Sequence, residues 1–236
     1  MRETGGVETM ELVGEEAYTL PRHSRHSVMA PMTVRISKRA FDVVCAAFGL
    51  IVFSPAFLIA MLAIRLDSPG PVFFRQMRIG QGSEDRTQLF NMVKFRTMHV
   101  NTDSNASAVW ATKNDKRITK TGKFLRGTRI DELPQLWNVL KGEMSLIGPR
   151  PEQLGIFGNL EMSVPFYSER AYGVRPGITG WAQVEVGYDK CLDDVKQKML
   201  CDFAYAMSIR SFADWLRTDL AILGRTLMTV VRREGT

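Results

Sequence analysis

Apolar residues crowd into one long run near the start of the chain and then break into shorter periodic stretches. From Val43 to Ile64 there are 22 residues without a charge, interrupted only by Gly49, Ser54 and Pro55. A straight helix of that length would rise about 33 Å, enough to cross a bilayer core. Soluble helices seldom stay apolar on every side for so long; a buried core helix is the alternative. Pro55 divides the run. It lacks an N–H and its ring clashes with the carbonyl of Ile51, four residues back. The Ser54 hydroxyl can bond back to a nearby carbonyl and soften that break. Two halves, Val43–Phe53 and Ala56–Ile64, are therefore expected with a bend between them. Both flanks are basic, with Arg35, Lys38 and Arg39 ahead and Arg65, Arg75 and Arg78 behind. Positive charge marks cytoplasmic ends, so this pattern favours a helix that enters the membrane and returns. An ordinary kinked span competes with that reading.

Asp67-Ser68-Pro69-Gly70-Pro71 then breaks the chain ahead of Val72-Phe73-Phe74. That reads as a turn into a strand, with Gly80 and Gly82 marking a second turn and Leu89 to Phe95 the returning strand of a hairpin. Residues 99–115 are polar and irregular, as in a surface loop. Leu133, Leu136, Trp137 and Leu140 fall at helical spacing, with Asp131 as N-cap, Pro134 in the first turn and Gly142 as the stop. Gly/Pro breaks follow at Gly148-Pro149-Arg150-Pro151 and Arg175-Pro176-Gly177. The C-terminal stretch puts Phe212, Trp215, Leu216, Leu220, Leu223, Leu227, Val230 and Val231 on one stripe, with Arg210, Arg217, Arg225, Arg232 and Arg233 beside or opposite it. This suits a helix lying in a membrane interface and equally one packed on a core. The expected class is α+β, mainly helical. Its divisions are a mobile tail over 1–33, a re-entrant helix over 34–66, a catalytic domain over 67–190 and amphipathic helices over 191–236.

Charge adds one asymmetry. Residues 1–20 hold five Glu against Arg2 alone, a net −4, which leaves +10 for the rest of a chain whose total is +6. A basic body suits anionic partners: nucleic acid, anionic lipid or phosphorylated small molecules. The apolar run speaks against nucleic acid, because it would draw the chain to a membrane. Three cysteines, Cys45, Cys191 and Cys201, make no disulfide framework and fit a reduced compartment. His23, His26 and His99 lack metal-ligand spacing.

Asp131 and Glu132 are adjacent acids at a predicted helix start, where unpaired N–H groups and the helix dipole would favour their charged forms. Such a pair can hold Mg²⁺ and leave room for substrate phosphates. A carboxylate can also attack phosphorus. Acids at helix starts are, however, common capping residues. What changes the picture is their company: Lys94, Arg96, Arg126, Arg129, Arg150 and Arg175 all stand at strand ends or Gly/Pro breaks, where cations can clamp phosphate oxygens. No glycine-rich nucleotide loop and no Gly-x-Ser-x-Gly motif occurs.

Across about residues 36–232 the chain resembles the bacterial sugar transferase family, the monotopic polyprenyl-phosphate phosphoglycosyl transferases. The resemblance rests on Ser37-Lys38-Arg39-Ala40-Phe41-Asp42, Ser54-Pro55, the stretch from Ser68 to Gln76, and Lys94-Phe95-Arg96-Thr97-Met98. It continues through Arg129-Ile130-Asp131-Glu132-Leu133-Pro134-Gln135-Leu136, Ser145 to Pro151 and Val174 to Trp181. It implies a membrane helix that turns back at Ser-Pro and a catalytic face in the cytosol, on the bacterial inner membrane. It implies Mg²⁺-dependent transfer of a sugar phosphate from a UDP-sugar to undecaprenyl phosphate, with release of UMP. Asp131 matches the family nucleophile and Glu132 its partner acid, both also candidate metal ligands. Lys94 and Arg150 match phosphate-binding positions, and Arg96, Arg126, Arg129 and Arg175 are further substrate-binding candidates. The short form resembles enzymes that initiate exopolysaccharide synthesis. Expected partners are the UDP-sugar, undecaprenyl phosphate and membrane lipid, without nucleic acid; a homodimer is left open. A non-catalytic membrane assembly protein on the same fold is the rival class, and the intact acid pair with Lys94 and Arg150 argues against it.

Overall fold

The computed structural model describes residues 30–83, 87–100, 115–186 and 192–232. The expected tail, with His23 and His26, lies outside the described residues apart from its last few positions. So do most of the polar stretch 99–115, Cys191, Arg233 and the side chains of Val230 and Val231.

The apolar run forms two helices, α1 (Met32–Val52) and α2 (Ser54–Asp67), bent by 60° at Phe53. Pro55 sits in the first turn of α2, where its missing N–H breaks no bond inside that helix. The carbonyl of Ile51, which Pro55 cannot serve, accepts the Ser54 hydroxyl at 2.7 Å. The bend is thus closed by the residue beside the one that causes it. Among the described residues no single helix is long and apolar enough to cross a membrane, but the bent pair passes that test together. Its outer side chains are bare: Ile51 is 74% and Leu66 78% exposed, with Val44, Phe48, Leu58 and Ile59 alongside. A helix buried in a soluble core would cover these groups, and this pair leaves them bare.

Both ends of the pair are fastened to one body. Ahead of the bend, Val34 packs with Ile147, Tyr205 and Trp215. Lys38 pairs with Asp219 at 2.7 Å, and Arg39 donates to the carbonyls of Val139 and Leu140. Beyond the bend, Ala60 and Ile64 pack on Phe95 and Leu125, and the Thr121 amide donates to the Asp67 carboxylate at 2.8 Å.

The hairpin is β1 (Phe73–Gly82) antiparallel to β2 (Thr87–Phe95), in one register from Phe73 opposite Phe95 to Ile79 opposite Leu89. The pairing shifts between Ile79 and Gly82, where the sequence carries its glycines. After α3 (Lys120–Gly127) comes a single 3₁₀ turn, Ile130–Glu132, and then α4 (Gln135–Lys141). Gly142 ends α4 with φ +83°, the left-handed region that glycine enters most easily. Asp131 is not the cap of that helix, because Pro134 holds the N-cap position and no side chain caps it.

A second pairing joins β3 (Ser145–Ile147) parallel to β4 (Gly177–Thr179). The two Gly/Pro breaks pack on each other there, and a Cβ on Gly148 would collide with the Arg175 carbonyl. Helices α5 (Leu154–Ser163), α6 (Trp181–Glu185), α7 (Leu192–Ser208) and α8 (Phe212–Arg232) complete the fold, which is α+β and mainly helical. The stripe expected on α8 divides in two. Trp215 and Ile222 are buried, whereas Phe212, Leu216, Leu220 and Leu227 are exposed. Residues 215, 219, 222 and 226 follow the inward line of a 3.6-residue period, and steps of four from Phe212 run onto the flank.

Candidate active site

The 3₁₀ turn that carries the acids is set by Arg129, whose φ of 59° lies in the left-handed region. From there Asp131 and Glu132 project beside β2. Lys94 on β2 donates to Glu132 Oε1 at 2.8 Å, and Arg150 reaches the same oxygen at 3.4 Å. Burial pushes the Glu132 carboxyl up, but Lys94 and Arg150 more than offset it and hold it far below the usual carboxylate range. Burial draws the Lys94 ammonium down, against the pull of Glu132. Glu132 is therefore a fixed negative charge.

Asp131 is the opposite case. It is 8% exposed, and its Oδ1 is buried without a hydrogen-bond partner. Burial, then the neighbouring Glu132 charge, push its pKa up to about 6 against the pull of Lys94, Arg126 and Arg129. Asp131 does not stand at the start of α4, which begins at Gln135, four residues later. The result is an acid more basic than usual, with one buried oxygen that makes no hydrogen bond.

The sequence profile of the family described as bacterial sugar transferase matches residues 33–233. The chain belongs to this family. It is 45% identical over 198 residues to a UDP-N-acetylgalactosamine-undecaprenyl-phosphate N-acetylgalactosaminephosphotransferase of Aeromonas hydrophila, covering 84% of this chain and 44% of that protein. It is 40% identical over 206 residues to a UDP-glucose:undecaprenyl-phosphate glucose-1-phosphate transferase of Caulobacter vibrioides, covering 86% and 73%. It is 42% identical over 152 residues to an exopolysaccharide production protein of Rhizobium leguminosarum, covering 63% and 74%. Against the Aeromonas relative and several others the chain spans less than half of their length.

For this bacterial sugar transferase the basic candidates divide. Lys94 and Arg150 meet at Glu132, and Arg126 and Arg129 lie close enough to act on the Asp131 charge. Arg126 also donates from Nε to the Thr97 hydroxyl at 2.9 Å. Arg96 is engaged elsewhere in this structure. It is buried, and its guanidinium is committed to the Ser68 and Pro69 carbonyls at 2.7 and 2.6 Å, clamping the turn after α2. Arg175 has other charged neighbours. It neighbours Arg39, Asp42 and Arg35, and Arg39 caps the far, C-terminal end of α4. Among the described residues, neither group hydrogen-bonds to or ion-pairs with Asp131 or Glu132.

Arg78 was expected only as a basic flank, yet it stands beside Arg150. Its Nη1 donates to the Pro151 carbonyl at 3.2 Å, and its Nη2 to Gln76 at 2.7 Å. Burial and then the Arg150 charge lower its pKa to about 10. A period-two reading gives the signal: Gln76 and Arg78 share one face of β1, and the register places Lys94 on that face.

Among the described residues no three His, Cys, Asp or Glu side chains form a metal cluster. The pair nevertheless fits Mg²⁺, which takes one or two protein carboxylates and fills its remaining positions with water and phosphate oxygens. The unpartnered Asp131 oxygen suits this, whereas Glu132 Oε1 is already shared by two cations.

Proposed function

We propose that this chain transfers a sugar phosphate from a UDP-sugar to undecaprenyl phosphate, working at the cytosolic face of the bacterial inner membrane. The observation that carries this reading is the buried, unpartnered Asp131 oxygen next to a Glu132 already neutralised by Lys94 and Arg150. Asp131 attacks the β-phosphorus. A bond forms between its carboxylate oxygen and phosphorus, the bond to the bridging oxygen breaks, and UMP leaves with that oxygen and its electron pair. The lipid phosphate then attacks the acyl phosphate, restoring the Asp131 carboxylate and yielding the sugar diphospholipid. Lys94 and Arg150 turn from Glu132 to the phosphate oxygens as these arrive, since charge-assisted bonds to phosphate are strong. Asp131 and Glu132 would hold Mg²⁺, which supplies charge neutralisation that lets an anion approach a diphosphate.

The membrane reading rests on the bent pair. Its outer face is apolar and bare, while both ends are tied into one body through Lys38 and Asp67. A spanning helix would put those ends about 30 Å apart, on opposite sides. The exposed Phe212, Leu216, Leu220 and Leu227 of α8 give a further apolar surface for the interface. The named relatives act on different sugars, and the initiating role in exopolysaccharide synthesis follows one relative's name, so the donor is to be found by assay.

The test is isotope exchange. A panel of UDP-sugars is incubated with the chain, Mg²⁺ and labelled UMP, without lipid. A covalent step predicts label entering the matching UDP-sugar, with ping-pong kinetics once undecaprenyl phosphate is added. Asp131→Asn is expected to abolish exchange and transfer together. Transfer without exchange, with both substrates bound before UMP leaves, would replace the covalent step by direct attack of the lipid phosphate.

A further inference from the structure

On the reading just given, Arg150 must meet a phosphate with its guanidinium well aimed. Its side chain, 45% exposed, reaches Glu132 Oε1 at 3.4 Å and is not the part held from the buried side. The backbone beneath it is. Three successive carbonyls are held from the buried side: Arg150 O by Arg170 Nη2 at 2.8 Å, Pro151 O by Arg78 at 3.2 Å and Glu152 O by the Ile79 amide at 3.0 Å. The last two holds come from β1. The first comes from the 3₁₀ turn Tyr167–Ala171, on a side chain 6% exposed.

Arg170 is itself over-determined. Its Nη1 donates to Asp202 on α7 at 2.7 Å, and its Nη2 also reaches Glu152 Oε1 at 3.2 Å. The guanidinium lies over the Tyr167 ring, 4.6 Å from its centre, and the Tyr167 hydroxyl donates to the same Glu152 oxygen at 3.0 Å. The turn is pinned to the hairpin through Gly173 N to Gly82 O at 3.0 Å. One planar group therefore ties α7, the 3₁₀ turn and the Pro149-Arg150-Pro151 loop. Buried ion sets of this kind often add little to stability compared with apolar packing, and what they fix is geometry. A lysine cannot copy the fork, since its single ammonium cannot meet a carbonyl and two carboxylates in one plane.

We infer that Arg170 is a positioning residue that holds the Arg150 peptide where the Arg150 guanidinium faces Glu132 and the donor phosphate. This rests on the transferase reading for its substrate. The test is a double-mutant cycle on the full chain in lipid nanodiscs, with wild type, Arg170→Lys, Arg150→Ala and the double variant. Three quantities are read: kcat/KM with the matching UDP-sugar, UDP affinity by equilibrium dialysis, and thermal unfolding.

Arg170→Lys is expected to lower kcat/KM and UDP affinity about tenfold or more beside Arg150, and less than about threefold in the Arg150→Ala background. Unfolding temperature should fall by the same amount in both backgrounds. Equal kinetic and binding losses in the two backgrounds would make Arg170 merely structural and overturn the inference, as would no loss at all. Should Arg170→Lys not fold, Asp202→Asn keeps shape while loosening the Arg170 anchor and takes its place in the cycle with the same expected pattern. Coupled loss of UDP affinity in a chain that transfers nothing keeps the inference and overturns the transferase reading. Transfer with uncoupled losses does the reverse, and a chain that neither binds UDP nor transfers overturns both.

Discussion

Two buried aspartates about ninety residues apart in sequence divide the molecule into a finished part and an open one. Asp219 is 1% exposed, and each of its oxygens is satisfied. Oδ2 accepts from Lys38 and from the Trp215 indole, both at 2.7 Å, and Oδ1 accepts from the Tyr205 hydroxyl at 2.8 Å. Those donors come from α1, α7 and α8, so one carboxylate binds three helices. Asp131 is nearly as buried, yet its Oδ1 has no donor and its neighbour is another acid. An unsatisfied buried acceptor costs about 1–3 kcal/mol. Asp42 Oδ2 is orphaned as well, so what sets Asp131 apart is its company: an unpaired oxygen beside Glu132, Lys94 and Arg150.

The contrast predicts opposite signs on substitution. Asp219→Ala strands Lys38 in a nearly closed site and should cost about 3–5 kcal/mol, read as loss of folded protein or a large fall in unfolding temperature. Asp131→Asn should instead stabilise. The folded Asp131 binds its proton more tightly than the unfolded chain does, with a pKa of about 6 against 3.8. Its contribution is therefore fully present below about pH 4, is lost as pH rises through about 6, and is absent above. An amide removes that dependence. In chelator, to keep metal out, Asp131→Asn should exceed wild type by about 1–3 kcal/mol at pH 8 and match it near pH 4. Wild type remaining the more stable protein at pH 8 would show that Asp131 is a satisfied acid like Asp219.

Arg150 sharpens the open side. Its guanidinium can grip two phosphate oxygens in a fork, and a lysine offers one point charge. Arg150→Lys should fold normally and lose about tenfold or more in kcat/KM, in line with about 1.5–3 kcal/mol for a charge-assisted bond. Normal kinetics with lysine there would remove the phosphate contact.

The same division explains what the sequence could disclose. The hairpin, the broken helix and α4 were legible because period, glycine and proline act locally. Lys94 and Arg150 stand 38 and 18 residues from Glu132, and their link to the acid pair came from the family resemblance rather than from local spacing. The ionisation of Asp131 was not legible, for burial is a property of the assembled fold. Arg96 and Arg175 stand at similar Gly/Pro breaks to Arg150, and only tertiary contacts send them to the Ser68 turn and the far end of α4. Arg78 could have been found from the alternation along β1. Arg170 could not, since a lone arginine in Tyr167–Ala171 carries no periodic or motif signal before α7 brings Asp202 to it.

The smallest effect belongs to the bend, which is built on the satisfied pattern. Ser54→Ala leaves the Ile51 carbonyl without the hydroxyl that replaces the missing Pro55 amide, at a cost of about 1 kcal/mol. The fold and both anchored ends should survive, because Pro55 still interrupts the helix and Lys38 and Asp67 still bind the body. Pro55→Leu acts differently. It restores an N–H to Ile51 and removes the ring clash, so it favours a straight helix while the anchors resist. Reporter changes Thr33→Cys and Ser83→Cys, each in a chain lacking Cys45, Cys191 and Cys201, distinguish the cases through an impermeant thiol reagent on intact cells. Neither reporter should label in the parent chain or with Ser54→Ala, and only a fraction of molecules should label, at one end, with Pro55→Leu. Labelling of Thr33→Cys in the parent chain would mean that the bent pair spans the bilayer, and that its two anchors do not hold the ends on one side.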